Sequence, residues 1–194
     1  DMKGPKRSVL TGLLLCAGSG LLMLVAAQFA GNDWLALGWL LSSRLMLGAG
    51  ESLVTTGTIA WGIGSVGARH TAKVISWNGV TTYGALAVGA PVGVLLAGHG
   101  GLTAIGIVTS VIAGAAWLLA RRQPAVPILK GERLPFRSVF RAMSPFGLCL
   151  GLGSVGFGAI TAFITLYYAG HGWDHAALAL TALGTCFVLT RLIM

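Results

Sequence analysis

The chain alternates between long apolar stretches and short polar breaks. Six apolar segments stand out, at residues 8–30, 35–61, 71–97, 101–120, 139–169 and 174–194. Each is long enough to cross a hydrocarbon core of roughly 30 Å, which takes about 20 residues of α-helix. The longer segments can tilt or protrude. Inside lipid every backbone N–H and C=O must be satisfied within the structure, which leaves helices or a closed barrel. A barrel strand alternates polar and apolar residues over about 10 positions. The runs Leu13-Leu14-Leu15 and 21–27 do not alternate. The pattern therefore predicts an all-α, polytopic integral membrane fold with six transmembrane helices.

Most breaks are glycine-rich reversals with helix-capping residues: Gly31-Asn32-Asp33, Gly98-His99-Gly100-Gly101 and Gly170-His171-Gly172-Trp173-Asp174. None of the three contains Lys or Arg. The basic residues fall on the other side: Lys3, Lys6 and Arg7, then Arg69 and Lys73, then Arg121, Arg122, Lys130, Arg133, Arg137 and Arg141. Alternate loops are thus basic, as successive crossings require, and the basic side is cytoplasmic. Residue 1 and the loop at 121–138 are placed there, in a bacterial inner membrane. That loop also holds Pro124, Pro127 and Pro135 and reads as a connector between two bundles.

Composition agrees. Charged residues are 9% of the chain and apolar ones 55%, whereas a soluble domain carries about 25% charged residues. So few charges cannot cover a water-facing surface, but they suffice where the surface faces a lipid bilayer. The net charge of +8 sorts by membrane side, with no basic stripe interleaved with stacking aromatics, so no nucleic-acid partner is expected. Cys16, Cys149 and Cys186 sit in apolar runs and read as free thiols; His70, His99, His171 and His175 lie in or beside loops. No metal site, cofactor or nucleophile–base pair is expected, hence no enzyme. The chain begins at Asp1 and stops within an apolar run, so it is read as part of a longer protein, and no leader peptide is read at its start.

Glycine is abundant, at 30 residues. In membranes small residues let helices approach closely. The fifth segment carries the densest set, Gly147, Gly151, Gly153, Gly156 and Gly158. These read as packing positions, or alternatively as a helix whose neighbours slide.

Ionisable groups deep in a segment are informative, because a charge at the bilayer centre costs at least about 2.5–3.5 kcal/mol. Arg44 and Glu51 stand out in the second segment. Their spacing of about two turns puts them on one face, continued by Gly48, Thr55 and Thr58. That face is expected to meet the bundle or a watery cavity. A carboxylate in low dielectric favours its protonated form, and a nearby guanidinium opposes this, so the pair suits substrate binding or proton coupling. The alternative is an internal charge lock that fixes packing. In the third segment Asn78 and Thr81 share a face, and Asn78 can hydrogen-bond a polar solute; Trp77 reads as an interfacial anchor. Further along, Gly84, Gly89, Pro91 and Gly93 read as a helix bend, since a mid-helix proline removes a backbone hydrogen bond.

These residues resemble the major facilitator superfamily. The stretch from Asp1 through Gly4, Lys6 and Arg7 is similar to the end of that family's signature loop between spans two and three. Arg44 through Gly48 resembles its fourth-span motif, and Gly84 through Gly93 the fifth-span motif of its antiporters. The chain looks most like the bacterial branch labelled arabinose-efflux-permease-like. The resemblance implies alternating access by two six-helix halves. It makes residues 1–120 the end of the first half (spans three to six), 121–138 the linker and 139–194 the start of the second half (spans seven and eight). It implies that Asp1, Gly4 and Lys6 brace a cytoplasmic gate and that Arg44 serves substrate or proton coupling. The expected activity is proton-driven efflux of a small organic solute by a monomer, without a cofactor. Uptake by the same fold, or a non-transporting sensor or scaffold, are the alternatives.

Overall fold

A computed structural model describes residues 4–29, 31–126 and 135–193, with Phe136 by its backbone alone. Five α-helices form, α1 Pro5–Gln28, α2 Asp33–Val66, α3 Thr71–Arg122, α4 Phe136–Gly170 and α5 Ala176–Ile193, with a short 3₁₀ turn at Ala68–His70. Among the described residues there is no strand. The predicted all-helical class is what the chain adopts.

Local sequence explains the boundaries. Pro5 opens α1, where its missing N–H is not needed. Asn32 caps α2 by accepting from the Leu35 N–H at 3.3 Å, and Asp33 complements the helix dipole in the first turn. Helix α3 stops before Pro124, and Gln123 is extended (φ −74°, ψ 147°), as the residue before a proline prefers.

Helix α3 has 52 residues and would measure about 78 Å as a straight rod. It is not one. Gly101 has φ 56° and ψ −147°, a conformation open to glycine and strained for other residues. The two limbs, 71–100 and 102–122, run in opposite directions, as their neighbours show. Val74 lies by Gly62 and Asn78 by Thr58, so the first limb is antiparallel to α2. Gly106 lies by Gly20 and Ser110 by Ala17, so the second limb is antiparallel to α1. Helix α2 is itself antiparallel to α1, with Gly50 by Gly12 and Gly57 by Val9.

Helix α1 is the centre of the tightest packing. It buries Val9, Gly12, Ser19, Gly20, Met23 and Ala26 between α2 and the second limb of α3. On α2 the buried positions are Ser43, Gly50 and Gly57, one every seven residues. That spacing keeps one seam facing a partner at a small crossing angle. Ser43 Oγ donates to the Ser19 carbonyl at 2.8 Å, and Ser110 Oγ to that of Ala17 at 3.1 Å.

The first limb of α3 packs on α5. Gly184 faces the Tyr83 carbonyl, and Thr181 Oγ1 donates to the Ala87 carbonyl at 3.0 Å. Tyr83 stacks on Phe187 at 4.3 Å, and Phe157 of α4 sets its edge against both. None of α4's described residues is buried. Gly147, Gly151, Gly153, Gly156 and Gly158 meet no packing partner among the described residues, with nothing from another element within 4 Å of where a Cβ would stand on any of them. Backbone proximity occurs in α1, α2 and the second limb of α3 instead.

Among the described residues four helical stretches are long and apolar enough to cross a membrane: Pro5–Gln28, Ala68–Arg122, Arg137–Gly170 and Ala176–Ile193. That count differs from six because 68–122 is one continuous stretch and because Arg44, Glu51 and the hydroxyl residues dilute α2.

Candidate functional site

Helix α2 has 34 residues, about 51 Å at 1.5 Å per residue. Arg44 and Glu51 flank its middle. Each follows directly on a packing residue, Ser43 and Gly50, as Thr58 follows Gly57. The polar stripe therefore lies about 100° around the helix from the seam against α1. Arg44, Glu51 and Thr55 are exposed and Thr58 is half-buried. The chain thus does not itself provide the burial expected of Glu51. Arg44 and Glu51 form no ion pair with each other, since two turns separate them by about 10.5 Å along the axis. A charge lock within α2 is therefore absent.

Of the expected site residues, the structure joins Asn78 to this stripe. Thr58 Oγ1 lies 3.3 Å from Asn78 Oδ1 and 3.0 Å from the Thr55 carbonyl, so its single proton serves one of the two at a time. The Asn78 carbonyl in turn accepts from Thr81 and Thr82. A cavity of ≈ 320 Å³ begins at Thr58 and extends past Trp61, Gly62 and Ser65 to Gln123 and Pro124. Trp61 Nε1 donates to the Pro124 carbonyl at 3.2 Å, closing that end of α2 beneath the segment that follows α3.

Of the expected gate residues, Asp1 lies outside the described residues. Gly4 is buried with φ 81° at the entry to α1. Lys6 Nζ donates to the Arg121 carbonyl at 2.9 Å and to the Gln123 carbonyl at 2.6 Å. Arg121 is in the last turn of α3, where carbonyls have no partner within the helix, and Gln123 is its C-cap residue. In this structure Lys6 caps a helix C-terminus, where a cation also complements the dipole. At the expected bend, Gly84, Gly89, Pro91 and Gly93 keep helical backbone angles, and the non-helical residue in α3 is Gly101. Gly89 and Gly93 have no described neighbour within 4 Å of a built Cβ.

The sequence reading missed three residues that join elements here: Ser43, Trp61 and Arg191. Ser43 was findable from its seven-residue register with Gly50 and Gly57. Arg191 was findable as a basic residue ending the last segment on the same side as Lys73. Trp61 carried no signal, because its partner is a loop carbonyl.

The family model of the Major Facilitator Superfamily matches residues 1–194. The chain belongs to the Major Facilitator Superfamily. An uncharacterized MFS-type transporter of Burkholderia mallei (strain SAVP1) is 52% identical over 194 residues, covering 100% of this chain and 47% of the relative. One from Burkholderia pseudomallei (strain 668) matches to the same extent. The MFS-type transporter YhhS of Shigella flexneri, also uncharacterized, is 46% identical over 193 residues, covering 100% of this chain and 48% of the relative. The chain spans about half the length of the curated relatives it matches. No solved structure matches it significantly. Membership in this transporter family, with four long apolar helices, makes the chain part of an integral membrane protein. The α2 stripe is then a set of polar and charged groups on a helix of a Major Facilitator chain.

Proposed function

We propose that the chain supplies six crossings, spans three to eight, of a twelve-span transporter in the bacterial inner membrane that exports a small organic solute in exchange for protons by alternating access. In this reading α2 and the two limbs of α3 each cross the bilayer. The observation that carries the reading is the exposed Arg44–Glu51 stripe at the middle of α2. Two charges facing lipid there would cost at least about 5–7 kcal/mol together. The stripe therefore faces water or the remainder of the longer protein. A central cavity supplies both, since the charges then meet solute, solvent and the opposite half.

Each residue has a role within this reading. Arg44 holds an anionic or hydrogen-bond-accepting group of the solute. Glu51 is the one carboxylate near the middle of a helix among the described residues; Asp33 and Asp174 lie at helix ends. It takes up a proton when the cavity opens to one side and releases it to the other. Thr55 and Asn78 orient the solute through their hydroxyl and amide groups. Monomeric function accords with a cavity enclosed by one polypeptide.

The test uses the full-length protein in inverted membrane vesicles with an imposed pH gradient. Solute accumulation driven by an acidic lumen is expected for wild type, and Arg44→Ala and Glu51→Gln are expected to lose it at normal expression. Normal proton-dependent flux in both variants would remove the stripe from the mechanism. Accumulation under the opposite gradient would reverse the direction to uptake.

A further inference from the structure

The end of α5 and the start of α3 form a second cavity that the solute reading does not use. It has a volume of ≈ 430 Å³ and is lined by Lys73, Ser76, Trp77, Val80, Arg191 and their neighbours. Two cations from different helices meet there. The Arg191 guanidinium lies over Gly79, so close that a Cβ at that position would stand 2.8 Å from its Cζ. Ser76 Oγ donates to the Arg191 main-chain carbonyl at 3.4 Å, a contact that does not involve the guanidinium. Among the described residues neither the Lys73 ammonium nor the Arg191 guanidinium has an ion-pair or hydrogen-bond partner. The described carboxylates are remote in the fold: Asp33 opens α2, Glu51 is on its middle, and Asp174 precedes α5, whose far end carries Arg191. Asp1 and Glu132 lie outside the described residues.

We infer that this cavity binds the headgroup of an anionic phospholipid, with its acyl chains in the furrow between α3 and α5. Charge complementarity calls for an anion, and the surface above the cations selects a lipid. Trp77, Val80, Gly84 and Val88 continue up α3 from Lys73 at steps of three and four, on one helix face. Trp77 is 56% exposed and Val88 66%, so the face is both apolar and open. Gly84 contributes no side chain, and Val188 of α5 stands 4.0 Å from where one would begin, which leaves a furrow. From Trp77 to Val88 is about 16 Å of helix, half of a hydrocarbon core of roughly 30 Å and so one leaflet deep. A tryptophan at headgroup level and basic residues between helix ends are the elements of a headgroup site. A free phosphate would satisfy the cations but gain nothing from the apolar track. The site lies on the side of α3 away from Asn78, so it stands whether or not the solute reading holds.

The experiment is native mass spectrometry of the full-length protein, delipidated in mild detergent and titrated with phosphatidylglycerol, phosphatidylcholine or glycerol 3-phosphate. Wild type is expected to retain phosphatidylglycerol over phosphatidylcholine. Removing one charge with Lys73→Gln is expected to lower that retention about fivefold, and Lys73→Gln/Arg191→Gln about 30-fold, at roughly one interaction of this size per cation. Gly84→Leu, which fills the furrow and keeps both charges, is expected to lower it as well. Lys73 is exposed, so its single variant decides the matter if the double variant does not fold. Equal retention by Lys73→Gln and wild type overturns the proposal. So does displacement of phosphatidylglycerol by glycerol 3-phosphate at equal concentration, which would make this a soluble-anion site.

Discussion

Two parts of the chain use glycine at similar density and to opposite effect. Where α1 meets α2 and the second limb of α3, glycines are the points at which backbones touch. A Cβ on Gly12 would stand 2.7 Å from the Gly50 carbonyl oxygen, and one on Gly50 2.8 Å from that of Gly12. A Cβ on Gly106 would stand 2.8 Å from the Gly20 carbonyl oxygen. In α4 five glycines from Gly147 to Gly158 have open space around them. Lipid gives helices no hydrophobic reason to associate, so contact depends on interlocking surfaces. The difference lies in register. Ser43, Gly50 and Gly57 recur every seven residues and meet a complementary row, whereas the α4 glycines crowd several sides of one helix and meet no such row in this chain.

The sharpest way to break that comparison is to add one methyl group in each region. Gly50→Ala forces two backbones and the Cys16 sulfur apart and is expected to destabilise by about 1–3 kcal/mol, the usual effect of overpacking a tight contact. Gly151→Ala meets nothing and is expected to lie within about 0.5 kcal/mol of wild type, or slightly above it through helix propensity. Thermal unfolding of the detergent-purified full-length protein, followed by size-exclusion fluorescence, reads both. If Gly151→Ala melts as early as Gly50→Ala, α4 is packed by the remainder of the longer protein and the contrast belongs to this chain alone.

A smaller effect tests the seam itself. Ser43 is 1% exposed and its hydroxyl joins α2 to α1 through the Ser19 carbonyl. Ser43→Ala is expected to cost about 0.6–1 kcal/mol, the range for an interhelical hydrogen bond between membrane helices. Ser42→Ala is the control, because Ser42 Oγ bonds only the Gly38 carbonyl of its own helix. Equal losses for the two would mean that the seam rests on shape alone.

The helical class was legible because apolar runs of about 20 residues have few other solutions in lipid. The reversal near residue 100 was legible from its glycines, and Gly101 carries it. The polar stripe of α2 was legible because a seven-residue spacing fixes a common face whatever the surroundings. What it faces was not legible, since exposure depends on neighbours distant in sequence. What the α4 glycines meet was not legible for the same reason: glycine density shows where approach is allowed, and only a complementary partner row makes it happen. The contact between Arg191 and Gly79 was out of reach, because it joins positions more than a hundred residues apart.

Lys6 gives the smallest expected effect and separates two roles for one residue. The family resemblance implies a brace for the cytoplasmic gate, whereas the structure has the ammonium on the Arg121 and Gln123 carbonyls at the end of α3. Lys6→Met keeps the aliphatic stem and removes the charge and its donors. If capping is the main role, the last turn of α3 frays by about 0.3–1 kcal/mol, the usual worth of a cation at a helix C-terminus. Hydrogen exchange at residues 117–123 then rises a few-fold, the melting temperature barely moves, and Lys6→Arg restores protection. A gate brace predicts the reverse, with unchanged exchange in that turn and a loss of flux that Lys6→Arg rescues. Both changes together would mean that the cap is itself part of the gate. In that case Lys6 ties α1 to the end of the second limb of α3, and those two elements of the tight bundle move as one body when the gate opens.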